Sequence, residues 1–501
     1  MASPPVPSGH TVVIVGGGLA GLAAAATLVK AGFSSVKVLE AMDRPGGRIH
    51  TTKPFGPDII ELGANWIHGQ QGNPIYHLAK EHGLLTEGTE TVMCLPGFVT
   101  PRDYFFHEHG RQLPVELVEE VCSFFSKLTD KAFEHALDEK YTHKSLGDYL
   151  DEEFKDSLWA NSKDSKRVFE WCKRSECTDE ASSSLYELSA SELGLYTALD
   201  GGFFNSLGPG GYQHILDVFL KSLAADVLVC SKPVKCIQWG LDKKEQASEV
   251  AHPVKVICED GQELHADHVI VTASLGVLQE KAPAMFEPSL PEVKMTAIKK
   301  LGFGTVDKIY LKFNERFWPE DCVGIQLVWE EGFEDKEVLT SLDEESWKKA
   351  WYKKICGFDI VARHPTVLCG WITGREAKHM ETLEEEVIGE VCIRLLRSFT
   401  GWKVPDPVSV LTSRWWKNPY VRGSYTYIPY GVDAMKQQAA LSDPLPSSTC
   451  PPKLKPLQVL FAGEATHVKF YTTTHGAYLS GKREAQRIIK HYRHMTPWYC
   501  S

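Results

Sequence analysis

The run Thr11-Val12-Val13-Ile14-Val15-Gly16-Gly17-Gly18-Leu19-Ala20-Gly21 is followed by an alanine-rich stretch, Leu22 to Lys30, by Gly32, and by Val36-Lys37-Val38-Leu39-Glu40. β-Branched residues, then glycines, then strong helix formers read as strand, tight turn, helix and second strand. In such a unit Gly16 makes the turn, Gly18 lets the backbone approach a pyrophosphate, and Gly21 lets helix pack on strand. The helix N-terminus offers free N–H groups and the positive end of its dipole to phosphates. Glu40, at the end of the second strand, can accept hydrogen bonds from both ribose hydroxyls and would repel a 2′-phosphate, which favours FAD or NAD over NADP. Glycine turns and strand-ending glutamates also occur without any ligand. The β-α-β context is what sets this pair apart.

Outward from this unit, apolar runs at Val254–Cys258, His268–Thr272 and Val459–Ala462 suit further strands. If the first, middle and last regions build one sheet, the nucleotide domain is discontinuous. A helical pattern at Val115–Leu137 and a strand-like run at Lys308–Phe313 suggest a second unit. Three polar or Pro/Ser-rich stretches, Gly240–Pro253, Glu330–Lys349 and Ser442–Pro456, read as exposed insertions. The chain has 501 residues, 43% hydrophobic and 24% charged, which suits two or three domains' worth of globular structure and excludes a mostly disordered chain. With 54 Lys+Arg against 65 Asp+Glu the formal charge is −11, which argues against a broad basic nucleic-acid surface. Thirteen cysteines lie between Cys94 and Cys500, and even the near pair Cys172 and Cys177 lacks CxxC spacing, so reduced thiols and no metal site are expected. The opening MASPPVPSGH has no positive segment, no apolar run approaches a membrane span, and the closing Trp-Tyr-Cys-Ser is not a peroxisomal address. The expectation is a soluble, cytoplasmic protein, with nuclear entry left open.

The segment Arg44-Pro45-Gly46-Gly47-Arg48 allows close backbone approach and presents a guanidinium fork to a phosphate or flavin carbonyl. With it, GGGLAGLAAA…VLEAMDRPGGR and Glu61-Leu62-Gly63-Ala64-Asn65-Trp66-Ile67-His68-Gly69 resemble the opening of flavin amine oxidases. The resemblance, most specific to the animal polyamine oxidases, continues through Lys232–Lys235, Asp267–Thr272, Gly302–Lys308, Arg422–Tyr425, Phe461–His467 and Thr473–Ala477. It implies an α/β protein with a discontinuous Rossmann-like FAD-binding domain (8–80, 206–294, 421–501) and a mixed α+β substrate-binding domain (81–205, 295–420). Besides Gly16, Gly18 and Gly21, it implies FAD contacts from Ala20, Glu40, Arg48, Asn65 and Trp66, with Val234 against the adenine. Glu464, Thr473 and Thr474 would hold the ribityl and flavin end, Gly476 and Ala477 would open a helix at the flavin pyrimidine, and Trp415 (or its neighbour Trp416) would lie near the ring. Ser424 stands where monoamine oxidases carry the flavin-linking cysteine, so the FAD is expected to be non-covalent.

The same resemblance makes Lys308 the foremost catalytic candidate, near flavin N5 through a bridging water, and His68 a substrate-contacting residue. A solvated strand-edge lysine and a structural histidine are the competing readings. Glu176 is a candidate for binding substrate ammonium groups, and Asp200 a weaker one. Tyr420 and Tyr425 would form aromatic walls beside the flavin. Val306 replaces the asparagine or threonine of acetylpolyamine and spermine oxidases, and Thr472 replaces a serine, which leaves the choice between acetylated and free polyamines open. The expected reaction removes a hydride equivalent from the carbon beside a secondary amine, with oxygen as acceptor and a shorter amine, an aldehyde and hydrogen peroxide as products. A polyamine and oxygen are the expected partners, without nucleic acid or membrane, and a monomer is preferred. A histone-lysine demethylase and a non-catalytic binder of the Rab-escort type share these features in part.

Overall fold

The computed structural model describes residues 9–86, 94–135, 137–241, 252–330, 336, 343–446 and 454–495. Thr11–Val15 is the middle strand of a five-stranded parallel sheet, ordered 459–461, 268–271, 11–15, 35–39, 228–229. Start, middle and end of the chain thus meet in one layer. Parallel neighbours require crossovers, and strands covered on both faces read as continuous apolar runs, which is why these segments stood out in the sequence. Val12 and Ile14 pack toward the helices Leu19–Lys30 and Thr474–Met495, while Val13 and Val15 face the opposite cluster with Ile237 and Leu278.

Gly16 adopts φ +107°, a conformation side chains disfavour, and a Cβ on Gly21 would collide with the Gly16 carbonyl. The helix begins at Leu19, three residues earlier than the alanine pattern suggests, because Gly18 is its extended N-cap and the glycine loop forms its first turn. Val254–Cys258 is a strand, but not of the parallel sheet. It pairs antiparallel with Glu263–Ala266 and Val234–Trp239 in a four-stranded sheet.

A seven-stranded sheet, ordered 409–412, 306–312, 367–373, 357–360, 324–328, 103–107, 111–112, forms the second unit. Its successive residues Phe105 and Phe106 point to opposite sides. Phe105 joins the core under the helices Val115–Phe133 and Lys163–Asp179, and Phe106 the core under Glu385–Thr400. The first of these helices ends at Phe133, short of Leu137. The strand expected at Lys308–Phe313 runs Val306–Lys312. Most of the three expected insertions, together with the first eight and last six residues, lie outside the described residues. Among the described residues no helix is long and apolar enough to cross a membrane.

Candidate active site

One cavity of about 650 Å³ is lined by the glycine loop, by Lys308, and by a group of carboxyls from the helical layer. At one end Glu40, nearly enclosed, accepts N–H bonds from Gly17 (2.6 Å) and Met42 (2.8 Å). Burial pushes its carboxyl above the ordinary value, and the Met42 and Gly17 amides and Arg44 oppose that shift. Each oxygen keeps a lone pair for a ribose hydroxyl. Val234, at the start of its strand, lines the same end. Here the chain fits a dinucleotide: a Cβ on Gly18 would meet nothing nearer than the Gly46 carbonyl at 3.9 Å, and one on Gly463 nothing within 4 Å. Bare backbone therefore faces the cavity beside Ala20 and the helix N-terminus.

Arg48 does not stand free as a fork. Its Nη1 donates to the Glu464 carboxylate (2.8 Å) and the Ser424 carbonyl (2.7 Å), and its guanidinium lies 5.5 Å from the Phe303 ring centre. Glu464, 3% exposed, also accepts from Thr426 Oγ1 and from the Thr472 N–H, which holds Thr472 in a left-handed conformation (φ +69°). Thr473 caps the long helix Thr474–Met495, its Oγ1 accepting the Gly476 N–H at 3.0 Å. Thr474 Oγ1 lies 3.2 Å from the Tyr212 hydroxyl, and both Thr474 and Ala477 line the cavity in that helix's first turn. The helix start expected at Gly476 is therefore present, two residues earlier.

Lys308 is 4% exposed and lines the cavity. Its Nζ donates to the carbonyls of Glu61 (2.8 Å) and Gly63 (2.7 Å) and to Asn65 Oδ1 (2.9 Å), and sits 4.8 Å from the Trp371 ring centre. Three acceptors match three ammonium protons, while burial pulls the group down to about 8, partly offset by Cys369 and Glu61. Geometry favours the ammonium and desolvation favours the amine. In the protein alone the three short bonds prevail, and the site is able to give up one proton near neutrality. Trp371 stacks on Trp66 at 5.9 Å. Neither Trp371 nor the half-buried Glu61, whose carboxyl desolvation raises to about 7, is a site candidate in the sequence. No motif marks Trp371, and although Glu61 opens the Glu61–Gly69 string, the partners of its carboxyl, Thr51 and the Tyr212 N–H, are set by the fold.

His68 lines the cavity with Nδ1 buried and without a hydrogen-bond partner. Burial holds it down to about 4, so the imidazole is neutral. Of the two adjacent tryptophans it is Trp415 that lines the cavity, its Nε1 donating to the Leu62 carbonyl at 3.3 Å. Val306 and Tyr425 line it as well, the Tyr425 hydroxyl donating to the Thr178 carbonyl at 2.9 Å. Tyr420 lines the cavity as well. It lies beside Lys281 and beside Asn418, whose amide reaches Met42 next to Glu40, so it belongs to the nucleotide end. Between Tyr420 and Tyr425 stand Arg422 and Gly423, both at positive φ, and the chain turns away there.

Glu176 lines the cavity together with Asp130, Glu134, Asp179 and Glu180. Asp200 is exposed and does not line it. Burial, then mutual repulsion with Asp179, Glu180 and Asp130, pushes Glu176 well above the carboxylate range. Burial raises Asp179 to about 6, and burial with Asp179 raises Glu180 to about 8. The spacings 176/179/180 and 130/134 put these groups on single helix faces, a signal that was present in the sequence and unused. Glu176, Asp179 and Glu180, raised by burial, are poised to ionise against a cation, with the exposed Asp130 and Glu134 beside them.

Residues 19–489 match the sequence profile of the flavin containing amine oxidoreductases. The chain is 39% identical to the peroxisomal N(1)-acetyl-spermine/spermidine oxidase of Bos taurus over 98% of its own length and 96% of that protein's. Its identity to the human protein of the same name is 38%, covering 96% and 95%. Among solved structures, a putrescine oxidase double mutant aligns with a TM-score of 0.68 at 20% identity, covering 97% of this chain and all of that one, which speaks for the fold alone.

Proposed function

Since this chain belongs to the flavin containing amine oxidoreductases, we propose that it oxidises a secondary amine of a polyamine, using non-covalent FAD and oxygen. The observation that carries the substrate class is the carboxyl cluster in the cavity that also holds Lys308, in which Glu176 and Glu180 are buried, Asp179 is half-buried, and Asp130 and Glu134 are exposed. A polyamine is a chain of ammonium groups, which would ionise the raised acids and leave an amine among apolar rings. The relatives named for acetylspermine and spermidine oxidation support the same class.

Bound FAD supplies a two-electron, hydride-accepting ring. Glu40 orients the ribose and the Gly18 backbone the pyrophosphate, with 8–80, 206–294 and 421–501 as the FAD-binding domain and 81–205 with 295–420 as the substrate-binding domain. Thr473 and Ala477, at the start of the long helix, would hold the flavin end, where the helix dipole would stabilise negative charge. Arg48 acts mainly by neutralising Glu464. Non-covalent binding is supported by Ser424, whose Oγ donates to the Val306 carbonyl and accepts the Val306 N–H.

Trp66, Trp371 and Tyr425 exclude water around the reacting carbon, which favours the neutral amine needed for hydride loss. His68 is a neutral hydrogen-bond partner for a substrate nitrogen. Lys308 holds or releases a proton at Nζ beside the ring. The imine left by loss of the hydride equivalent would be hydrolysed by water to a shorter amine and an aldehyde, and the two electrons taken from the amine would pass, with two protons, to oxygen as hydrogen peroxide.

The test is anaerobic mixing of the FAD-loaded protein with spermine, spermidine and N-acetylspermine in turn. Bleaching of the flavin by one of them, reversed by air with peroxide release, is the expected result. A fully loaded protein that none of them bleaches overturns the polyamine assignment.

A further inference from the structure

Asp307 and Glu381 are both 0% exposed. Asp307 is the second residue of the strand Val306–Lys312, and Glu381 follows the helix Gly374–Met380. Strand alternation sends Lys308 into the cavity and Asp307 to the opposite face. There Asp307 Oδ1 accepts the Ser413 hydroxyl (2.8 Å) and the Trp415 N–H (3.3 Å). Glu381 Oε1 and Oε2 accept the next two amides, Trp416 (2.7 Å) and Lys417 (2.6 Å). Three consecutive N–H groups are thus divided between two carboxyls, which brings the carboxyls together. Ser413 also accepts the Lys308 N–H at 2.8 Å, and its own N–H donates to the Lys308 carbonyl at 3.0 Å.

The surrounding cations do not resolve the pair. Arg414 donates to the Glu381 and Leu383 carbonyls, not to a carboxylate. Lys378, on the helix before Glu381, is half-buried and feels Glu187 as well as Glu381. Lys308 points into the cavity. Two ionised carboxylates in contact in a dry interior repel strongly enough that one stays protonated. Hydrogen bonding locates the proton. Both Glu381 oxygens receive N–H donors, whereas Asp307 Oδ2 is buried with no donor. Such an oxygen is satisfied only as a hydroxyl.

We infer that Asp307 is held as the neutral acid, its Oδ2–H donating to the Glu381 carboxylate, and that the pair is a positioning device joining the Lys308 strand to the Trp415 loop. Burial and the Glu381 contact push Asp307 well above the usual carboxylate range, in agreement with this placement. One proton therefore fixes the backbones behind both a cavity lysine and a cavity tryptophan. The inference uses the position of Lys308, and the thermal and infrared arms of its test do not depend on any substrate.

The experiment compares Asp307→Asn, Asp307→Leu and Glu381→Gln in the FAD-loaded full chain. An amide at 307 keeps the acceptor for Ser413 and Trp415 and replaces O–H by N–H toward Glu381. Asp307→Asn should hold the bound-flavin circular dichroism and keep kcat within about twofold of the parent. A neutral buried acid stabilises fully below the ordinary aspartate range and loses that contribution as pH rises toward its raised folded value, so the melting-temperature advantage of Asp307→Asn should grow by a few degrees from pH 6 to pH 8. The infrared difference spectrum should lose one protonated-carboxyl C=O band. Glu381→Gln sets an amide N–H against the Trp416 or Lys417 N–H and should lower kcat about tenfold with altered flavin dichroism, as should Asp307→Leu. If Asp307→Asn falls as far as Glu381→Gln, or shows neither the widening thermal gap nor the lost band, Asp307 is ionised and the inference is overturned. Asp307→Asn and Glu381→Gln decide this between them, even should Asp307→Leu fail to fold.

Discussion

Glu180→Gln should make the free protein more stable and the enzyme worse. Glu180 is 9% exposed and its carboxyl is raised to about 8, mainly by burial and then by Asp179. An acid raised in the folded state contributes fully below its ordinary value, 4.5 for this glutamate, and loses that contribution as pH climbs to the folded value. At pH 7 the lost contribution is about 3 kcal/mol, taking about 1.4 kcal/mol per pH unit. Glutamine is neutral at every pH and escapes it. With unfolding entropy of about 2 cal/mol/K per residue over 501 residues, the melting temperature should rise by about 3 °C at pH 7 and by about 1 °C at pH 5.5. Polyamine binding loses an ionised partner in a desolvated site, about 1.5–3 kcal/mol, or tenfold and more in KM. Thermal denaturation at the two pH values, paired with steady-state kinetics on spermine, reads both effects. A melting temperature that falls or stays level at pH 7, with KM unchanged, refutes the reasoning that Glu180 is a buried acid waiting for a cation.

Lys308→Met removes the donor to the Gly63 carbonyl and to Asn65 Oδ1, while the Glu61 carbonyl keeps the Tyr310 hydroxyl, so stability should drop by about 2 kcal/mol and flavin turnover by about a hundredfold, seen by stopped-flow bleaching and reoxidation. Arg48→Met strands the buried Glu464 carboxylate, and a loss of about 3 kcal/mol with weakened FAD retention should appear on gel filtration and in thermal melts. Because Asp179 and Glu180 bind cations only when ionised, KM for spermine should fall as pH rises from about 6 to about 8, and the part due to Glu180 should vanish in Glu180→Gln. Ser424→Cys introduces a thiol already engaged by the Val306 backbone, so the flavin should still be released by acid precipitation.

The nucleotide half of this protein was written in local sequence. Five β-branched residues, three glycines at fixed offsets and a strand-ending glutamate specify a β-α-β unit whose geometry is set by neighbours in the chain, and the strand Thr11–Val15 and the place of Glu40 came out as read. Continuous apolar runs likewise marked strands from distant regions, although they could not say that Val254–Cys258 belongs to a different sheet, since apolar character is the same in both. Lys308, His68 and Glu176 were legible through resemblance, and all three line the cavity. The remainder arose from partners far apart in sequence. Arg48 meets Glu464 across 416 residues, the Lys308 ammonium is held by carbonyls about 245 positions away, and Tyr420 sits with Lys281 and Asn418 at the nucleotide end. Side-chain identity fixes what a residue can do. Its protonation and its partners depend on burial and on which loops the packed sheets bring together, and only the tertiary fold sets those.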